Sequence, residues 1–498
     1  MATAVDHEGA DHDWRPGSAD SVGRSPVGKL AAQIARRIET DVMRRGWPVG
    51  ESLGSEQELR EHYGVSRSVL REAVRLVEHH QVARMRRGPG GGLIVSAPDA
   101  GPATRSIVIY LEYIGTSVDD LLHARQLLEP IAAGLATERL TEEGIDTLRA
   151  TLDEELALPA AAAEGSLDPL HPVLGQLSGN PVLQLFIDVL TRLTVRYAHT
   201  SRRIPKAELL DSGNTSRAEH RAIVDAVIAG EGARAQTLLT THLEWVAAWI
   251  EKHRVRRARI TGAVIEPEMA EGPRAKLAEV VASWIHDDIA ARGWQVGSVL
   301  GSEADLLARY QISRAALREA VRLLEYHSVA RMRRGPGGGL IVTEPEPQAS
   351  IDTMALFLEF QGATSDDLRI VRDALELGAV ARAAERHAAG DEEVAERLAA
   401  AVHWPAEGPA EDTRKADLFH SELAALAGNP VLSLFLDIIT ELFRRHAAGQ
   451  DQPLPGDKAA DEVTQVHQRI LDAVLAGDAG VARHRMRRHL DALIPWWH

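Results

Sequence analysis

The sequence contains no cysteine. This excludes disulfides and thiolate metal centres, and it fits a reducing compartment. It also lacks any apolar run near the roughly 18–20 residues that a spanning helix needs, and its start lacks the pattern of an export signal. The expected location is therefore cytoplasmic, with no membrane partner. Net positive charge is missing as well: the balance is −16, and an acidic surface repels phosphate, which argues against a protein that coats nucleic acid indiscriminately.

What is present is repetition. The segment Gly46–Val95 recurs as Gly293–Val342 at an offset of 247, with 35 of 50 positions identical. Both copies end in VARMRRGPGGGLIV and both contain SR followed by LREAVRL. Self-similarity over so long a period means duplication of whole domains rather than a solenoid of small units. The chain of 498 residues, 45% of them hydrophobic and rich in Ala, Leu, Val and Arg, favours a mainly helical protein of about three or four domains. Local charge departs from the global balance. Arginines 67, 71, 75, 84, 86 and 87 face only Glu72 and Glu78, and the second copy keeps all six at matching positions. A basic patch on an acidic chain points to a phosphate-bearing partner at one face.

In chain order, residues 1–24 read as a disordered tail. Leu30, Ile34, Ile38 and Val42 are spaced to share one face of a helix over Val27–Arg45. Ser55 and Glu58 form a capping box for a short helix, Gly64 turns the chain, and Ser66 caps the next helix. Two β-prone pieces follow, VARMRR and GLIVS, hinged by GPGGG. The order helix, helix, helix, hairpin is a winged helix-turn-helix. The resulting fold expectation is mainly α. Winged domains over 25–98 and 274–345 are each followed by an all-α bundle, over 103–253 and 350–498, with a linker at 254–273. Ser117 with Asp120, and Thr364 with Asp367, are cap-like starts for bundle helices.

The winged segments GESLGSEQELREHYGVSRSVLREAV and GSVLGSEADLLARYQISRAALREAV resemble the DNA-binding signature of GntR-type bacterial regulators. The resemblance implies that the second short helix enters the major groove and that the wing approaches the minor groove. By position it implies DNA contacts from Ser66, Arg67, Ser68 and Arg71, with Arg86, Arg87 and Gly90 at the wing. In the second copy the matching residues are Ser313, Arg314 and Arg318, with Arg333, Arg334 and Gly337; Ala315 stands where the first copy has Ser68. Arg67 and Arg314 can chelate guanine or grip phosphate. The bland alternative is a solvated helix face paired to Glu72 and Glu78, most plainly for Arg75 and Arg322. Where relatives often carry an Arg after the SE of the first short helix, this chain has Gln57 and Ala304.

Three histidines recur in register: His171, His220 and His242, then His420, His467 and His489. Asp168 and Asp417 precede the first of each set by three residues, one helical turn. Three imidazoles and a carboxylate can hold Zn²⁺, Ni²⁺ or Mn²⁺ with open positions left over; the alternative is a set of buried histidines bonded to protein groups. This layout resembles the FCD effector domain of FadR-type GntR proteins. That resemblance implies a metal held by Asp and three His beside a small carboxylate effector. The family's Asp usually stands one residue earlier, at the register of Leu167 and Ala416. Arg125 and Arg372 fall where the family places an Arg facing the effector; pairing with Glu129 and Glu376 one turn on is the competing role. Asn180 and Asn429, in GNP, either line the pocket or cap the next helix, and capping is the expectation.

The leading functional expectation is a ligand-responsive transcriptional regulator, a repressor, working as a covalent pseudodimer on a double-stranded operator with two half-sites. Its effector would be a small carboxylate bound near a divalent metal, and further self-association stays open. One rival is a metal-dependent enzyme using the histidine clusters, although no general acid–base pair stands out. Another is an architectural DNA binder without a ligand.

Overall fold

The structure, a computed structural model, describes residues 26–86, 88, 91–98, 100–157, 169–198, 204–253, 273–333, 335, 337–345, 347–403, 409–447 and 457–493. The expected tail, the linker over 254–272, and Arg87, Gly90, Arg334 and Asp168 lie outside the described residues, as does the side chain of Asp417. The chain divides into two compact units, residues 1–97 and 98–498.

In the first unit, α1 (Pro26–Arg44), α2 (Glu56–Tyr63) and α3 (Arg67–His79) precede a hairpin of β1 (Ala83–Arg86) and β2 (Gly92–Val95). Ser55 and Glu58 cap α2 reciprocally, and Gly64 ends it in the left-handed region at φ 64. The buried side chains Ile34, Ile38 and Val42 of α1 and Leu70, Ala73 and Val77 of α3 lie where these two helices pack. Leu30, expected on that face, is 41% exposed at the start of α1. The wing is antiparallel, Ala83 opposite Val95 and Arg86 opposite Gly92. A Cβ on Gly92 would lie 2.6 Å from the carbonyl oxygen of Gly54, so only glycine lets β2 approach this close. The Trp47 indole donates to the Ser96 carbonyl at 2.8 Å and ties the far end of the wing to the α1–α2 loop.

The second unit holds seven described helices, then a winged segment, then seven more. The first set is α4 (Ala100–Tyr113), α5 (Val118–Glu138), α6 (Glu142–Ala157), α7 (Leu170–Leu177), α8 (Pro181–Ala198), α9 (Lys206–Ile228) and α10 (Gly232–His253). The winged segment has α11 (Pro273–Ala291), β3 (Val299–Gly301), α12 (Glu303–Tyr310), α13 (Arg314–Tyr326), β4 (Ala330–Arg333) and β5 (Gly339–Val342), with strand order β3-β5-β4. The last set is α14 (Pro347–Phe360), α15 (Ser365–Ala388), α16 (Glu392–Val402), α17 (Pro409–Leu426), α18 (Pro430–Ala447), α19 (Asp457–Leu475) and α20 (Ala479–Leu493). The capping boxes of α5 (Ser117, Asp120) and α15 (Thr364, Asp367) are both formed. α7 has 8 residues where α17 has 18. Pro169 precedes α7, and Pro172 sits in its first turn, where backbone N–H groups need no helical partner. The prolines therefore shorten this helix rather than break it.

Each bundle buries its own apolar core, one around Leu148, Leu174, Val224 and Leu239 and the other around Leu398, Phe419, Ile470 and Met486. A further continuous core joins the two bundles through α4, α5, α8, α14, α15 and α18. At its centre the rings of Phe186 and Phe435 stack at 3.8 Å and 18°. The seam is reciprocal. The Asn180 amide donates to the Asp367 carbonyl at 3.1 Å, the Asn429 amide donates to the Asp120 carbonyl at 3.0 Å, and the Ser106 and Ser350 hydroxyls meet at 2.6 Å.

The winged segment of this unit shares its core with Ile109 of α4. Beside it, buried His286 of α11 lies 3.4 Å from Glu112 of α4. The residue at the matching position of the first unit is Glu39, which pairs with His80 at 2.6 Å. One exchanged residue thus replaces a pair inside a winged domain by a pair between a winged domain and a bundle. Among the described residues no helix is long and apolar enough to cross a membrane.

Candidate functional sites

The first candidate site is the exposed face of α3 with its wing. Ser66 caps α3 by accepting from the Val69 N–H at 3.4 Å, and its hydroxyl lies 3.0 Å from that of Ser68. Val69, Leu70, Ala73 and Val74 point into the core, which leaves Arg67, Ser68, Arg71 and Arg75 on the solvent side, with Arg84 and Arg86 exposed on the wing. Arg67 donates to Glu56 at 2.7 Å while staying 66% exposed. The hydrogen bond from Arg67, helped by that residue's charge, holds the Glu56 carboxyl below its ordinary range against opposing desolvation. The partners expected for this helix face are Glu72 and Glu78. Glu72 does take Arg75, at 3.0 Å, whereas Glu78 accepts the Met85 N–H at 2.8 Å, fixing the wing against α3. Glu56 was missed because its partner is 11 residues away across a turn, beyond any helical spacing.

The second copy repeats this face with differences. Ser313 caps α13 through the Ala316 N–H at 3.2 Å, and Ala315, Arg318, Arg322, Arg331 and Arg333 are exposed. Arg314 is 79% exposed and its Nε stands 4.0 Å from Glu303, so it is held less firmly than Arg67. Arg322 pairs with Glu319 at 2.9 Å. Gly337 adopts φ 70 at the wing tip, and its carbonyl accepts from Arg333 at 2.7 Å.

The other candidate sites are the histidine centres. Within each triplet, His171 with His220 and His242 and His420 with His467 and His489, the ligand-capable atoms all lie within 4.8 Å of one another. Four helices converge on the first: α7 carries His171, α9 His220, α10 His242, and α5 supplies Glu129. His171 Nδ1 lies 2.5 Å from Glu129, His220 Nδ1 3.0 Å from Glu155, and His242 Nδ1 2.8 Å from Glu219. A carboxylate at Nδ1 selects the tautomer protonated there, so the Nε2 lone pairs point inward. His220 Nε2 and His242 Nε2 are 3.2 Å apart. Two lone pairs at that distance repel unless a proton or a cation lies between them, so this donor set fits a divalent ion. In the second centre His489 Nε2 lies 3.2 Å from His420 Nε2 and 3.1 Å from His467 Nε2. His420 Nδ1 bonds Glu376, and Phe419 stacks on His467 at 3.9 Å.

Electrostatics favour ionised carboxylates at both centres and a neutral His489. Burial pushes the Glu129 carboxyl up, but Arg125 and His171 outweigh it and hold it at about 2. Glu376 is also lowered, with burial opposed by His420 and Arg372. Burial, with the charges of His420 and Arg372, brings His489 down to about 3. Arg125 donates to Glu129 at 2.5 Å, both side chains almost fully buried, which makes a chain from Arg125 through Glu129 to His171. Arg372 is less tightly held, 3.6 Å from Glu376 and 3.3 Å from Asp373. Asn180 and Asn429 sit at the seam. Their amide oxygens accept from the first N–H groups of α8 (Val182, Leu183) and α18 (Val431, Leu432), and their amide nitrogens cross to the other bundle. The carboxylates behind the histidines were not anticipated as a set; only Glu129 and Glu376 carried a helical signal, four residues after Arg125 and Arg372.

Residues 30–92 match the profile of the bacterial regulatory proteins of the gntR family, and residues 120–244 and 367–492 match the FCD domain. The chain is similar to the HTH-type transcriptional repressor NanR of Cronobacter sakazakii, 29% identical over 254 residues that cover 48% of this chain and 93% of the relative. It is also similar to the HTH-type transcriptional regulator LutR of Bacillus subtilis, 29% identical over 201 residues covering 39% of this chain and 89% of that one. The solved structure of Streptococcus agalactiae GntR aligns over 44% of this chain and 99% of its own, at 25% identity and a TM-score of 0.33.

Proposed function

Because the chain belongs to the gntR family of DNA-binding transcriptional regulators and carries two FCD effector domains, we propose that it is a repressor that works as a covalent pseudodimer on an operator with two half-sites. The reciprocal seam between its two bundles carries this reading. Phe186 stacks on Phe435, and Asn180 and Asn429 exchange equivalent bonds. Such self-complementary contact is what a two-fold dimer interface makes between separate subunits. Relatives that align over about half of this chain, several of them named repressors, fit one unit of the duplicated sequence.

Effector sensing falls to the bundles. His171, His220 and His242 would hold one divalent cation and His420, His467 and His489 another, with Asp168 and Asp417 as the candidate carboxylate ligands. A cation there supplies a Lewis-acidic anchor for one oxygen of a small carboxylate. Arg125 and Arg372 are the cationic groups for the remainder of that carboxylate, each already tied through Glu129 or Glu376 to a histidine. A ligand that breaks either tie bears on α5 or α15, both of which run into the seam. Two placements of the winged domains with different operator affinity would then be biased by ligand. Cytoplasmic location follows from the DNA partner.

Selection of duplexes from a random pool tests this reading. The expected product is a motif of two related but unequal half-sites, since Ser68 in one reader faces Ala315 in the other. A motif with a single half-site, or no enrichment over bulk sequence, would count against the pseudodimer.

A further inference from the structure

The two histidine centres are not copies of one another in what lies behind them. In the first centre His242 donates its Nδ1–H to Glu219 at 2.8 Å, and His242 is buried. Glu219 directly precedes His220. In the second centre the residue directly preceding His467 is Val466, partly buried against the apolar core of that bundle. His489, the counterpart of His242, makes its described hydrogen bonds only through Nε2, to His420 and His467. We infer that the two centres divide the work, the first binding a divalent cation more tightly than the second because Glu219 stands behind His242 whereas, among the described residues, no carboxylate is hydrogen-bonded to His489 Nδ1.

The inference rests on the reading of the triplets as cation sites. A carboxylate on Nδ1 raises the basicity of Nε2, which strengthens the coordinate bond. It fixes the ring so that the lone pair points at the cation without a further loss of rotational freedom. It also adds a negative charge a few ångströms from the incoming positive one, in an interior where that charge is poorly screened. Apolar Val466 supplies none of these. A loosely held cation can be governed by whatever else ligates it, so the second centre is the one whose occupancy should respond to an added carboxylate, while the first stays filled.

Zinc titration of the intact chain, first stripped with a chelator, separates the possibilities. Two steps are expected, differing about 10- to 100-fold in affinity. His220→Ala should remove the tight step and His467→Ala the weak one. Glu219→Val should weaken the tight step toward the level of the weak one, with Glu155 still behind His220, and Glu219→Gln, which keeps an acceptor but loses the charge, should fall between wild type and Glu219→Val. An unchanged melting temperature of the cation-free Glu219→Val protein separates loss of cation affinity from damage to the bundle. The reciprocal Val466→Glu should tighten the weak step, a gain that damage cannot mimic. Two equal steps, or a tight step of unchanged affinity in Glu219→Val, would overturn the inference while leaving the cation sites standing. No binding at either triplet would overturn the cation sites and the inference together.

Discussion

Arg67→Ala is expected to erase one half of the motif recovered from a random duplex pool and leave the other intact, and Arg314→Ala is expected to do the reverse. Both residues occupy the first position of a helix whose N-cap is a serine, both are exposed, and both lie on the face opposite the buried leucines and valines of α3 and α13. A bidentate arginine–guanine contact discriminates by about 1–3 kcal/mol, roughly 5- to 150-fold. An arginine that only grips phosphate lowers affinity evenly across sequences and reduces the salt dependence instead. The two substitutions should not be equal. Glu56 holds Arg67 at 2.7 Å, whereas Glu303 stands 4.0 Å from Arg314. A pre-set guanidinium loses less freedom on docking, so the half lost in Arg67→Ala should be the more sharply defined one. A motif unchanged by either substitution would contradict the assignment of these helices as readers.

Phe186→Ala and Phe435→Ala are expected to be the most damaging substitutions in the bundles, each costing about 3–5 kcal/mol. Both side chains are fully buried and stack on one another at 3.8 Å in the core that joins the two halves. Removing one ring leaves a cavity lined by helices of both bundles, and those helices are held by bonds such as Asn180 to Asp367 that collapse would disturb. Because the two rings share one contact, the double variant should cost less than the sum of the singles. Thermal melts followed by circular dichroism read the effect as a lowered transition for the bundles. A loss below about 1 kcal/mol would mean that the seam contributes little and that the halves are held chiefly by their linkage along the chain.

Local signals made much of the fold legible. Ser55 with Glu58, Ser117 with Asp120 and Thr364 with Asp367 mark helix starts in the sequence, and each forms the reciprocal cap in the structure. The hairpin followed from a glycine-rich hinge between two β-prone segments, and the duplicated organisation from identity at a fixed offset. The six histidines could be grouped because they recur in register, and the fold brings each triplet together. What could not be read depends on pairs distant in sequence. Glu155 and Glu219 reach His220 and His242 across helix boundaries, and among 72 acidic residues nothing in their spacing singles them out. Phe186 and Phe435 look like ordinary core residues of separate amphipathic helices; their meeting is set by how two bundles pack. Exchange of Glu39 for His286 is visible as a difference between the copies, but its consequence, a buried pair with Glu112 of another domain, is tertiary.

The mass of the complex with the selected operator tests the covalent-pair account most directly. Native mass spectrometry on a duplex carrying both half-sites should find one chain of 54.2 kDa per duplex at the concentration where binding saturates. Two chains on that duplex, each leaving one winged domain unused, would contradict it.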